Sequence, residues 1–271
     1  MYDIGAREVV LTNEELAKVY ESGQIDIDLA TNEYLIIKHE NGDYIDRFKF
    51  DGKKLVKFQN KTINNNFINT LKPRNIKQQC LFDLLLDDKI PVKLITGGFG
   101  TGKTYVSVHY ALHKLGKEEK KIVYIRNNIE VKDTKELGSL PFGVREKLLP
   151  YIMPIVDCVG GMSGLNMLES RDKIEYVHLG HVRGRNFSDS VIICSESQSL
   201  TREHVQLLLG RVGENSTIIF EGDLTQSDKK VFEDNNGIKA LHNVLRGNEL
   251  FGYIHLDKVE RSKVAQLSSL F

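Results

Sequence analysis

Residues 92–104 read Val92-Lys93-Leu94-Ile95-Thr96-Gly97-Gly98-Phe99-Gly100-Thr101-Gly102-Lys103-Thr104. A mostly apolar run of strand length enters a glycine cluster, and the last eight residues fit G-x-x-x-x-G-K-[ST]. Directly behind it, Tyr105, Val108, Leu112 and Leu115 recur at helical spacing. Strand, glycine loop and helix, in that order, are the setting in which such a loop cradles phosphates. The glycines at Gly97, Gly98, Gly100 and Gly102, with Phe99 and Thr101 between them, let backbone N–H groups converge on phosphate oxygens without Cβ clashes. The helix N-terminus adds the positive end of its dipole. Lys103 supplies a point charge to the β- and γ-phosphates, and the Thr104 hydroxyl is a ligand for magnesium. ATP and Mg2+ are therefore the expected cofactors.

Working outward, Ile122–Ile125, Val191–Cys194 and Thr217–Glu221 are further near-continuous apolar runs. Such runs belong to strands buried on both faces, as in a parallel sheet covered by helices, and their alternation with helical stretches predicts an open α/β sheet. Two of these strands end in polar groups suited to the same chemistry. Val191-Ile192-Ile193-Cys194 runs into Ser195-Glu196-Ser197-Gln198, where Glu196 is a candidate base to orient water. Ile218–Glu221 runs into Gly222-Asp223-Leu224-Thr225-Gln226, where Gln226 is a candidate γ-phosphate sensor. Either end alone also reads as a surface turn. Together with the glycine loop they fit one site, because ligands of open α/β sheets bind at the carboxyl ends of strands.

The first third differs. Arg7–Leu11 reads as a strand, and Thr12 with Glu15 forms a capping box that starts a helix. Glu33–His39, Tyr44–Phe50 and Lys54–Phe58 are strand-like runs separated by Asn41-Gly42 and Asp51-Gly52, which are hairpin signals. A small β-meander is expected there. Gly52–Phe82 holds no acidic residue but carries Lys53, Lys54, Lys57, Lys61, Lys72, Arg74 and Lys77. That stretch reads either as a basic surface facing phosphates or as a solvated linker. With 37 basic and 37 acidic residues the chain has no global basic footprint, so any nucleic-acid site must be local. Cys80, Cys158 and Cys194 show neither disulfide nor metal spacing, the pattern of buried thiols in a reducing compartment. The first residues lack the features of a signal peptide, and no apolar run is long enough to span a bilayer, so a cytoplasmic protein without membrane contact is expected.

Several motifs match one family in order. They are Lys72-Pro73-Arg74-Asn75-Ile76-Lys77-Gln78, the glycine loop, Gly138-Ser139-Leu140-Pro141, Glu146-Lys147-Leu148-Leu149-Pro150 and Met153-Pro154-Ile155-Val156-Asp157. Val182-Arg183-Gly184-Arg185, Glu196-Ser197-Gln198, Gly222-Asp223-Leu224-Thr225-Gln226 and Glu260-Arg261-Ser262 follow. Through them the chain resembles the ATPase domain of PhoH-like proteins, relatives of superfamily 1 helicases. The resemblance implies a RecA-like, mostly parallel sheet over residues 71–271, preceded by a small β-rich subdomain and basic connector over 1–70. Arg7–Phe58 is also similar to the segment that precedes this ATPase in proteins carrying a PIN nuclease, so a motor without the nuclease is implied. Gln78 would read the adenine edge, Gln226 the γ-phosphate, and Arg261 would be an arginine finger reaching a neighbouring subunit's ATP in a hexameric ring. Arg126, Arg183 and Arg185 would face RNA or another subunit's nucleotide. Read without the family, Arg183-Gly184-Arg185 is a compact basic pair on a loop, and Arg261 a surface charge.

One residue departs from the family pattern. Where Asp-Glu-Ala-Gln is the rule, this chain has Ser195-Glu196-Ser197-Gln198. Ser195 can hydrogen-bond a metal-bound water but brings no charge, which should weaken metal retention and slow phosphoryl transfer. Asp223 offers partial compensation, and Ser195→Asp is expected to raise hydrolysis. The leading expectation is an ATPase that moves along or unwinds single-stranded RNA. The alternative is a nucleotide-gated assembly module with residual hydrolysis. A small-molecule kinase is the third reading, disfavoured by the Gly222–Gln226 motif.

Overall fold

A computed structural model of the chain describes residues 5–65, 67, 69–118, 120–126, 144–224 and 234–260. Its main sheet has six parallel strands in the order β10-β5-β9-β8-β6-β7. These are β5 (Val92–Gly97), β6 (Lys121–Arg126), β7 (Ile174–His178), β8 (Ser190–Ser195), β9 (Thr217–Gly222) and β10 (Phe251–Leu256). Helix α3 (Lys103–Glu118) follows β5, and α4 (Val144–Cys158), α5 (Met162–Ser170), α6 (Arg202–Leu209) and α7 (Gly237–Leu245) fill later connections. Helix-flanked and all-parallel, this is the architecture of a RecA-like P-loop fold.

The apolar runs explain why both faces are covered. Alternate residues of a strand point to opposite sides. Ile95, Tyr124, Ile193 and Ile219 enter one core with Val108, Leu112 and Leu115 of α3. Leu94, Val123, Ile192 and Ile218 enter the other, with Val205 and Leu208 of α6 and Ile238 and Leu241 of α7. One stripe expectation needs correction: Tyr105 is 47% exposed, its ring lying against His109 of the next turn and not in the core. Cys80, Cys158 and Cys194 are buried and unpaired, as expected of inert thiols. No helix among the described residues is long and apolar enough to cross a membrane.

A four-stranded sheet, β1-β2-β3-β4, precedes this domain. It comprises β1 (Ala6–Val10), β2 (Tyr34–Lys38), β3 (Tyr44–Phe50) and β4 (Leu55–Lys57), with α1 (Asn13–Ser22) after β1. The Thr12 capping box forms, with Thr12 Oγ1 accepting from the Glu15 amide and Glu15 from the Thr12 amide. β2, β3 and β4 make the expected meander, and Gly42 and Gly52 take the positive φ of 89° and 95° that their turns require. β1, however, pairs with β2 in parallel, so α1 is a crossover and the unit begins as β-α-β.

Helix α2 (Ile76–Leu85) ties the two sheets together. It is buried almost all round, with Cys80, Leu81, Leu84 and Leu85 sharing a core with Ala6, Tyr34 and Ile36 on one side and β5 and β10 residues on the other. Tyr34 donates from its hydroxyl to Asp83 at 3.0 Å, and Arg246 grips Glu33 in a fork at 2.7 and 3.1 Å. Part of the basic connector is engaged within the fold. Lys57 pairs with Asp46, Lys61 with Asp83, and Lys77 with Asp257 and Glu8, which removes three of its seven cations from any phosphate-facing role.

Lys93 is fully buried in β5 and caps the end of α2, donating to the carbonyls of Leu84 at 2.7 Å and Asp87 at 2.9 Å. Burial, opposed by Asp87 and Asp88, pushes its ammonium down from 10.5 to about 7. The unfolded chain therefore holds this proton more tightly than the folded chain between those values, and stability rises with pH across that window. Relative to Lys93→Met, the wild type should gain up to roughly 1.4 kcal/mol per pH unit between pH 7 and 10, measured by urea unfolding. A constant difference across that range would contradict this environment for Lys93.

Candidate active site

The glycine loop leaves β5 at Gly97 and enters α3 at Lys103. Gly97, Gly100 and Gly102 take φ values of 153°, 74° and 92°, a region that penalises residues with a Cβ. The buried Thr101 donates its hydroxyl to the Gly98 carbonyl at 2.9 Å and braces the bend, while Phe99 is 67% exposed. Lys103 folds back over the loop and donates to the carbonyls of Gly97 at 2.6 Å and Gly98 at 2.9 Å. Its ammonium thus sits at the mouth of the loop.

Gln78 lies beside this loop. Its backbone N–H donates to the N-capping Asn75 side chain at 2.9 Å, and its Oε1 accepts from the Arg74 amide at 2.8 Å. Its Nε2 faces Gly102, standing 3.7 Å from where a Cβ would be. Glu260 closes the same corner. Its amide donates to the Gly100 carbonyl at 2.9 Å, its carboxylate accepts from Asn75 Nδ2 at 2.7 Å, and its carbonyl accepts from Arg74 Nη1 at 3.2 Å. The chain around residue 260 therefore docks on the chain's own glycine loop. Arg261 and Gln226 lie outside the described residues.

The strand ends form one row. Arg126 pairs in register with Ser195, and Ile95 with Glu221. β8 and β9 pair up to Cys194 with Phe220, so Ser195 and Glu221 are neighbours one step on. By alternation both face α3, on the side of Ile193 and Ile219. Glu221 is 1% exposed and reaches α3, where the Thr104 hydroxyl donates to its Oε1 at 2.9 Å. Its Oε2 is buried with no hydrogen-bond partner among the described residues. Burial pushes the Glu221 carboxyl up, against the pull of the Thr104, Ser107 and Ser195 hydroxyls and of Lys103.

Glu196 follows Ser195 in the left-handed region at φ 52° and ψ 44°, an unusual conformation for a glutamate that costs on the order of 1 kcal/mol. That turn lifts its side chain to 40% exposure, with Arg126 Nη2 at 3.9 Å. Gln198 joins the two strand ends: its Nε2 donates to Glu196 Oε2 at 2.6 Å, and its Oε1 accepts from the Asp223 amide at 3.1 Å. A carboxylate at the end of β8 is thereby coupled to the backbone at the end of β9.

The remaining arginines are dispersed. Arg183 is exposed on the loop after β7. Arg185 pairs with Glu175, the second residue of β7, at 2.8 Å and stacks over Phe187 at 4.8 Å. That places it toward the amino edge of the sheet, away from the glycine loop. Two contributors were not apparent from the sequence, Glu221 and Gln198. The only signal for Glu221 was a carboxylate closing an otherwise apolar strand, next to a strand whose expected Asp is missing.

Residues 70–269 match the family described as PhoH-like protein. The chain is 29% identical to Protein PhoH2 of Thermobispora bispora, over 97% of this chain and 61% of that protein. It is also 29% identical to Protein PhoH2 of Bacillus subtilis, over 98% of this chain and 63% of that protein. A PhoH-like protein of Bacillus subtilis is 34% identical over 60% of this chain and 52% of its own length. The chain thus spans about three fifths of the length of these PhoH2 relatives. The match runs from the connector before Gln78 to beyond Glu260, the two segments that meet at the glycine loop, and so takes in every element that builds this site: the chain belongs to the PhoH-like protein family.

Proposed function

We propose that this chain binds ATP with magnesium in the Gly97–Thr104 loop and hydrolyses it, and that hydrolysis drives movement along single-stranded RNA. The observation that carries the nucleotide part is the convergence of Lys103, Thr104 and Glu221 beneath a loop whose glycines take positive φ. These residues fit a magnesium-bound triphosphate: the Thr104 proton is given to Glu221, which leaves the hydroxyl lone pairs for a cation, and Lys103 is ready for phosphate oxygens. Thr104 would hold the magnesium, which when bound would supply positive charge against the phosphates. Glu196, held by Gln198, is the group to orient the attacking water. Gln78 would read the base through Nε2, Gln226 would sense the γ-phosphate, and Arg261 would complete a neighbour's site in a hexamer. Arg126 and Arg183 are the candidate RNA contacts. Arg185 contributes to RNA binding only if its pairing with Glu175 opens.

A second reading, a nucleotide-gated assembly module with residual hydrolysis, is favoured by Ser195, which holds no charge where the family carries an Asp. The rate of ATP hydrolysis with and without single-stranded RNA separates the two. The motor reading expects stimulation of at least about tenfold, with an RNA affinity that falls steeply with salt as phosphate contacts are screened. A flat trace, with ATP changing only the oligomeric state, establishes the module instead.

A further inference from the structure

We propose that Glu221 supplies the cation-supporting carboxylate that Ser195 lacks, so that the acidic group of this site stands on β9 instead of β8. This assignment rests on the nucleotide reading above and deepens it. Three observations carry it. Ser195 and Glu221 are lateral neighbours with side chains on the same face, so a carboxylate on either strand reaches the same space under α3. Glu221 already holds the Thr104 hydroxyl at 2.9 Å, the hydrogen bond that turns that oxygen's lone pairs toward an incoming cation. Its second oxygen is buried and accepts no well-aligned hydrogen bond among the described residues, although the Ser107 and Ser195 hydroxyls lie nearby, and a buried carboxyl oxygen left unpaired is costly unless a proton, a cation or a cation-bound water completes it.

Chemistry explains why the exchange is tolerated. β9 lies between β8 and β5 in the sheet, so Glu221, one methylene longer than aspartate, starts one strand nearer the glycine loop and Thr104. A serine at 195 leaves room for that longer chain, while its hydroxyl remains close enough to favour the ionised carboxylate. The local charge of the site is then the one the family pattern provides, delivered from the adjacent strand.

The assignment revises the expectation for Ser195→Asp. If the site were short of a carboxylate, that substitution would restore one. With Glu221 in place it adds a second carboxylate beside the first, and the repulsion between neighbouring like charges offsets much of the gain. Ser195→Asp should therefore raise the magnesium enhancement of ATP binding by less than about tenfold.

The test is calorimetric titration of the intact chain with ATP, in magnesium and in EDTA, read as the ratio of the two affinities. In wild type magnesium should tighten ATP binding. Glu221→Gln, isosteric and without the charge, should lose at least about tenfold of that enhancement while binding ATP in EDTA as well as wild type or better. Ser195→Asp/Glu221→Gln, with the carboxylate on β8, should recover it. Retention of the full enhancement by Glu221→Gln overturns the assignment alone. Absence of ATP binding by wild type in both conditions overturns the nucleotide reading and this assignment with it. Should Glu221→Gln not fold, as judged by circular dichroism, Ser195→Asp decides: a gain in the enhancement below about tenfold supports the assignment, and a gain of about tenfold or more overturns it.

Discussion

Lys103→Ala is expected to bind magnesium–ATP at least about 100-fold more weakly than wild type, a loss near 3 kcal/mol and within the range for truncating one partner of a buried charge pair. The reason lies in where the ammonium sits. Lys103 leans on the Gly97 and Gly98 carbonyls at 2.6 and 2.9 Å, so its charge is held over the loop before any phosphate arrives. The loop's other groups are dipoles, which orient a polyphosphate but cannot balance its charge. Its two carbonyl contacts at the mouth of the loop can pass to water, but its charge also eases the burial of the Glu221 carboxylate, so some stability goes with it. Calorimetry should show the loss in affinity, and circular dichroism without nucleotide should show a wild-type fold with a modestly lower melting temperature. Lys103→Arg should recover only part of the affinity, because a planar fork does not match the compact contact that the ammonium makes with two carbonyls. Near-wild-type binding by Lys103→Ala would remove the loop from the nucleotide site.

What could be read from the sequence divides along a physical line. Features whose cause is local were legible: the glycine loop, the Thr12–Glu15 capping box and the Asn41-Gly42 and Asp51-Gly52 turns each follow from the conformational needs of a few consecutive residues. The four buried strands were legible because a strand covered on both faces admits few polar residues. β7 and β10 were not, since they are the two edge strands: Ile174-Glu175-Tyr176-Val177-His178 carries polar residues, and Phe251-Gly252-Tyr253-Ile254-His255-Leu256 a glycine and a histidine. The parallel β1–β2 pairing was hidden for a related reason: strand patterns do not say which way a neighbour runs. The role of Glu221 was hidden most deeply. It depends on Ser195, 26 positions earlier, and on Thr104, 117 positions earlier, and only the parallel register of β5, β9 and β8 brings the three together. Gln198 is a similar case, because its two partners belong to different strand ends. Arg185 shows the reverse error of a short motif. Its neighbour Arg183 is exposed, yet its own charge is taken up by Glu175.

Gly97→Ala is expected to damage both fold and site, whereas Gly98→Ala, one residue on, should unfold near the wild-type temperature. The two glycines look alike in the sequence, and the backbone separates them. Gly97 has φ 153°, and a Cβ built there overlaps the Leu256 carbonyl of β10 and stands 3.0 Å from Thr101 Oγ1. The neighbour that would have to move is main chain, in a strand paired with β5 along its whole length, so the clash cannot be relieved by a rotamer change. Strained φ and overpacking together should cost about 3 kcal/mol or more. For a chain of this size that corresponds to a fall in melting temperature of roughly 10 °C. Gly98 has no positive φ, and its Cβ would meet only Asp223 Oδ2 at 4.0 Å, an ordinary contact. The same contact makes Gly98→Ala informative about function. The space over Gly98 lies between the loop and the Asp223 strand end, where a γ-phosphate would sit under the proposed reading, so the added methyl should weaken ATP binding while leaving stability alone. Equal melting temperatures for Gly97→Ala and wild type would mean that β10 does not pack against the loop as described. A Gly98→Ala chain that binds ATP at full strength would move the triphosphate away from the Asp223 side of the cradle.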